Sequence, residues 1–149
     1  MSNDLTLSRV IAAPRASVWS AWTQPELIAK WFVPRPHFVT DVVIEPRAGG
    51  AFSMQMHVDG NQFPNNGVIL EVIEGEKLVF SDHFAPGWIP NPTPFMAAII
   101  TLKDHPEGTQ YDALVRHSSP EQVARHLEMN FHEGWGIMTD QLAEVAASL

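Results

Sequence analysis

The sequence predicts an α+β fold: a curved antiparallel β-sheet wrapped around a long C-terminal α-helix, with two short helices after the first strand. Three observations predict it. Residues from Phe38 to His117 read as a run of strands, the chain after Ser118 carries apolar residues at helical period, and the links between strands are short. Parallel strands would each need a crossover of about a dozen residues or more, so the run has to be an antiparallel meander. The closing helix must then bury its apolar face, and the meander is the surface large enough to receive it.

Leu5 to Ala12, rich in aliphatic and hydroxyl residues, is the first strand. Ala13-Pro14 stops it, and Pro14 starts a helix, because the N–H that proline lacks would be unpaired in a first turn. Val18, Trp19 and Trp22 mark the apolar side of that helix. A second short helix opens at Pro25, carries Leu27, Ile28 and Trp31, and is ended by Pro34 and Pro36. Strands follow near Val39–Pro46, Ala51–Val58, Phe63–Ile73, Lys77–Phe84, Phe95–Lys103 and Thr109–His117. They are divided by turn chemistry at Gly49-Gly50, Asp59-Gly60-Asn61, Glu74-Gly75-Glu76 and Asp104 to Gly108. Ser118-Ser119-Pro120-Glu121 announces the last helix with a serine cap, a first-turn proline and an acid at the positive end of the dipole. At about 100° per residue, Leu127, Phe131, Gly134, Trp135, Met138, Leu142 and Val145 fall on one face.

Composition narrows the classes of function. A chain of 149 residues forming a single domain, 1–149, is long enough to bury roughly 70% of its unfolded surface without a disulfide or structural metal. It has no Cys, which excludes disulfide frameworks, Cys-based zinc or iron–sulfur sites and thiol catalysis. A net charge of −8 with nine scattered basic residues argues against nucleic acid and anionic membrane as partners. The N-terminus lacks the pattern of a signal peptide, and no stretch approaches the roughly 18 to 20 apolar residues of a membrane span, so a cytoplasmic location is expected. Histidine spacing offers no HxxxH or HExxH pair, no GxSxG is present, and His126 and His132, six residues apart, project differently from a helix. No metal or cofactor is expected.

Four segments together carry a resemblance: Ala13 to Pro34 (APRASVWSAWTQPELIAKWFVP), Arg47 to Phe52 (RAGGAF), Glu74 to Phe84 (EGEKLVFSDHF) and Phe131 to Leu142 (FHEGWGIMTDQL). In order and spacing they make the chain similar to the Hsp90 ATPase activator homologue 1-like family, within the START/Bet v 1-like superfamily. The resemblance implies a helix-grip domain with a largely apolar cavity between sheet and long helix. Members use such a cavity to bind hydrophobic small molecules or for cyclase or hydrolase chemistry, and the eponymous co-chaperone stimulates Hsp90. Fold alone does not choose among these. The chain leaves no room for the further N-terminal domain of the full co-chaperone, so an Hsp90-type chaperone is the less expected partner and a small apolar or amphipathic molecule the more expected one.

Strand alternation sharpens the site. If Phe52, Met54 and Met56 face inward, so do Leu78 and Phe80, a phase that carries Asp82 and Phe84 with it. The phase of Tyr111, Ala113 and Val115 brings in His117. The meander gathers Phe63, Asp82, Phe95 and His117 at one end of the domain, with Asp82 and His117 about 10 Å apart across one intervening strand. The loop Ala85 to Pro94, stiffened by four prolines and tipped by Trp88 and Ile89, leaves from the same end. The expectation is a lidded mouth: Trp88 and Phe95 cover it, Asp82 and His117 supply polarity, and Phe131 and Trp135 form the helical wall. Trp31 reaches toward it, and Gly134 leaves space. Asp82 and His117 are also the candidate general base and its acid or orienter. The plainer alternative is that both cap turns at a solvated strand end, that Trp19, Trp22 and Trp31 are packing, and that Met54 and Met56 are core.

Overall fold

Alternating burial along the strands and helical spacing of the large apolar groups produce the architecture seen in the computed structural model, which describes residues 3–149. Strand β1 (Asp4–Ile11) leads into helices α1 (Arg15–Thr23) and α2 (Pro25–Ile28). Strands β2 (Phe38–Ile44), β3 (Ala51–Val58), β4 (Asn61–Ile73) and β5 (Lys77–Ser81) follow. A two-residue pair, β6 (Phe84–Ala85) and β7 (Ile89–Pro90), interrupts the meander before β8 (Ala97–His105) and β9 (Gly108–Arg116). Helices α3 (Pro120–Glu128) and α4 (Phe131–Ala147) close the chain.

The seven long strands form one antiparallel sheet in the order β1-β9-β8-β5-β4-β3-β2. It is the expected meander, with β1 added beside β9 in continuous register from Asp4 opposite Arg116 to Ile11 opposite Thr109. Turn residues behave as their chemistry requires. Asp59 and Gly60 both have positive φ, and they join Val58 to Asn61 in a two-residue hairpin whose twist matches the strands. At Gly108 (φ +136°) a Cβ would run into the carbonyl of Ile11, so only glycine allows β9 to start this close to the end of β1.

Two expectations need correcting. The strand beginning at Lys77 ends at Ser81, not Phe84, and the expected Ala85–Pro94 loop contains its own small hairpin, β6–β7. The C-terminal helix is two helices. Ser119 caps α3 through its hydroxyl, accepting the Gln122 N–H at 3.3 Å, with Pro120 in the first turn as predicted. The chain then turns at Asn130 in the left-handed region (φ 60°, ψ 54°), which asparagine tolerates better than most residues. A 3.6-residue period carried across that turn puts Leu127 on the wrong face, and it is exposed.

Helix α4 fills the grip. Phe131, Trp135, Met138, Leu142 and Val145 are buried against the sheet, with Leu78, Ile100, Tyr111, Ala113 and Val115 from the inner face in the same core. Trp22 and Trp31 are each 1% exposed, and the Trp31 indole N–H donates to the Ala21 carbonyl at 3.0 Å. Gln141, buried on α4, donates from its amide to the Trp31 and Val33 carbonyls at 3.0 and 2.8 Å and accepts the Arg35 N–H at 2.9 Å. All three of these bonds hold the exit of α2 against α4, so residues 32–34 sit at the rim of the space between helix and sheet.

Candidate functional site

That space is a cavity of about 510 Å³. Phe32, Val33 and Pro34 form one side; Phe52, Met56, Pro64, Gly67 and Phe80 form the sheet wall; Phe131, Gly134, Trp135 and Met138 form the α4 wall. Aromatic packing sets the shape of both ends. Phe52 stacks on Phe80 with centroids 4.5 Å apart, and both rings lean on Trp22. On the helix, Phe131 stacks on Trp135 at 5.3 Å. Between these walls, no atom beyond the glycine's chain neighbours and the local backbone of α4 lies within 4 Å of where a Cβ on Gly134 would stand, so the glycine keeps open volume.

The polar groups are few, and most are committed. Asp82 borders the cavity, but both its carboxylate oxygens accept the Phe95 N–H, at 2.9 and 3.0 Å, and Oδ1 also accepts the Met96 N–H at 3.1 Å. It therefore caps the chain where the hairpin insertion returns to β8. The Ser81 hydroxyl donates to the Met96 carbonyl at 3.1 Å and accepts the His83 N–H at 3.0 Å. His117 is buried, as strand phase implied, but its partners lie away from Asp82. Its Nδ1 meets the Asn3 carbonyl at 2.9 Å, and its Nε2 meets Nδ1 of His126 at 2.8 Å. Phe95 lies between the two expected partners, held by Asp82 at its backbone and with its ring 5.7 Å from the His117 ring.

His126, on α3, lines the cavity. It is 6% exposed and sits among Phe95, Phe131 and Trp135, with ring centroids 4.7, 4.8 and 6.4 Å away. Burial, reinforced by the neighbouring His117, pushes its pKa down to about 4.

Among the residues singled out from sequence, Met56, Phe80, Asp82, Phe95, Phe131 and Trp135 line the cavity together. Trp31 and Met54 lie behind the lining as core, Trp31 turned away by its bond to Ala21. Phe63, opposite Met56, stays half-exposed. His117 touches the cavity only through His126. Phe84 and Trp88 pack on each other at 5.6 Å, away from the lining, and the Trp88 indole lies over Gly49, so the hairpin is docked on the β2–β3 connection and does not cover the cavity. Lining residues that sequence did not single out as facing the cavity include Phe32, Val33, Met96, His126 and Met129, whereas Asn65 falls within the Phe63–Asn66 stretch expected at this end. The signal for His126 was the break at Asn130, since reading one continuous helix pointed His126 elsewhere. Among the described residues, no three His, Asp or Glu side chains gather where they could hold a metal ion.

The sequence matches one family model, Activator of Hsp90 ATPase homolog 1-like protein, over residues 12–147. The chain belongs to this family. Solved structures agree. A crystal structure from Nitrosomonas europaea is 40% identical, with a TM-score of 0.94 over 97% of this chain and 94% of that one. One from Chromobacterium violaceum is 27% identical, with a TM-score of 0.77 over 97% and 96% of the two chains. One from Mycobacterium smegmatis is 26% identical, at 0.81 over 97% and 90%. No functionally curated protein matches the chain. Family membership carries the helix-grip fold. No helix among the described residues is long and apolar enough to cross a membrane.

Proposed function

We propose that this domain binds a small, mainly apolar or amphipathic molecule between the sheet and α4. The observation that carries the reading is the cavity of about 510 Å³, walled by aromatic and methionine side chains and kept open at Gly134. A concave apolar space with a few oriented polar groups suits ligand capture, and a folded core without such a role closes its voids, since each unfilled volume costs contact energy. No catalytic step belongs to the proposal: the Asp82 carboxylate is occupied by backbone N–H groups and makes no bond to His117.

Native mass spectrometry on gently purified protein is expected to show a co-purified molecule. Titration with a lipid, aromatic and polyketide panel is expected to change the emission of Trp135. Gly134→Leu places a side chain in the open volume and is expected to abolish both signals. It should leave the Tm unchanged or raised, because replacing a helical glycine contributes up to about 1 kcal/mol. A wild-type protein that carries no ligand and keeps an inert spectrum across the panel overturns the reading.

A further inference from the structure

The His117–His126 pair does more than fill space, because its hydrogen bonds fix where each proton sits. The Asn3 carbonyl can only accept, so Nδ1 of His117, 2.9 Å away, must carry a proton and donate it. A neutral His117 then has a bare Nε2. Nδ1 of His126 lies 2.8 Å from that nitrogen, and two lone pairs cannot bond, so His126 Nδ1 is the donor. With its single proton committed there, the neutral ring of His126 has a bare Nε2. That atom has no hydrogen-bond partner among the described residues, and it belongs to the histidine of the pair that lines the cavity.

We infer that Nε2 of His126 is a hydrogen-bond acceptor for the ligand, and that the cavity selects apolar molecules carrying a hydroxyl or N–H donor over the same skeletons carrying an ether or a carboxylate. This rests on the proposal that the cavity binds small molecules, and it names the chemistry that proposal left open. The surroundings fit a neutral acceptor. Phe95, Phe131 and Trp135 enclose the ring in apolar surface, and the same burial keeps His126 unprotonated at neutral pH. A lone pair in such a setting rewards a donor. A ligand carboxylate has no proton to share with it, and the Asp82 carboxylate, which also borders the cavity, would repel the charge.

Two measurements test the inference. Imidazole nitrogen NMR of the full chain should show His126 with a protonated Nδ1 and a pyridine-type Nε2, and a protonated Nε2 overturns the inference whatever binds. Calorimetric titration then compares β-naphthol with its methyl ether and β-naphthoate, and dodecanol with methyl dodecyl ether and dodecanoate. The alcohols are expected to bind about five- to tenfold more tightly than the ethers, the worth of one net hydrogen bond, and more tightly still than the acids. His126→Phe keeps an aromatic ring and removes the acceptor, so the ratio of alcohol to ether affinity should fall to about one. Equal binding of alcohol and ether by the wild type, or an undiminished preference in His126→Phe, overturns the inference and leaves the cavity proposal standing. Failure of all six probes to bind overturns both.

Discussion

At the scale of single residues, Asp82 shows how a carboxylate beside a cavity can be structural. Three contacts from two backbone N–H groups consume its oxygens, and they fix the point where the chain rejoins the sheet at Phe95–Met96. Asp82→Ala leaves both donors without their partner, and urea unfolding should show a loss of about 2 kcal/mol. Asp82→Asn, which keeps one acceptor oxygen, should lose less. His126 makes a second prediction, through pH. Its folded pKa of about 4 lies below the ordinary value of 6.5, so within that window the unfolded chain takes up a proton that the folded ring refuses. The stability it contributes is present above pH 6.5 and is lost as pH falls toward 4. The charged or titratable groups around it are His117 at the end of β9, Arg125 over the Phe95 ring, Asp82 behind Phe95 and His132 against Phe131. His126→Phe removes this titrating ring together with its hydrogen bond to His117, and only the loss of the ring's titration changes the slope of stability against pH in this window. Melting curves should therefore show wild type losing ground to His126→Phe as the pH falls from neutral through that window.

Among the elements, the break between α3 and α4 has the largest consequence for the site. Asn130 turns the chain through the left-handed region, and that turn swings α3 so that His126 faces His117 and the cavity while Leu127 faces solvent. Asn130→Ala forces a Cβ-bearing residue with no polar side chain into that conformation, and thermal unfolding should register a cost of about 1 kcal/mol. Asn130→Gly should be nearly neutral. A straight helix through both segments would predict the reverse order, since glycine is the poorer helix former. The β6–β7 hairpin makes a parallel point. Its prolines and its apolar tip were legible, but where it docks depends on Gly49, a residue distant in sequence whose missing side chain makes room for the Trp88 indole.

Across the whole molecule, the pattern of periods and turns was enough to place the meander, the entry helices and the apolar face of α4. The physical reason is that alternation and helical spacing are local consequences of backbone geometry, and one buried face permits one register. For the same reason, strand phase alone placed Phe80 and Met56 on the cavity wall and turned His117 inward. What only the tertiary structure decided was the use of the polar groups. Whether Asp82 caps a loop or meets His117, and whether His126 faces solvent or a cavity, depends on which backbone N–H, carbonyl or ring nitrogen comes within 3 Å or so. Those neighbours come from chain segments far apart, such as Asn3, Phe95 and α3. The sequence by itself determined a curved antiparallel sheet gripping a C-terminal helix, because hydrophobic periodicity is written residue by residue. The chemistry of the cavity was decided in three dimensions, because a hydrogen bond depends on the position of its partner, and a local period does not contain that position.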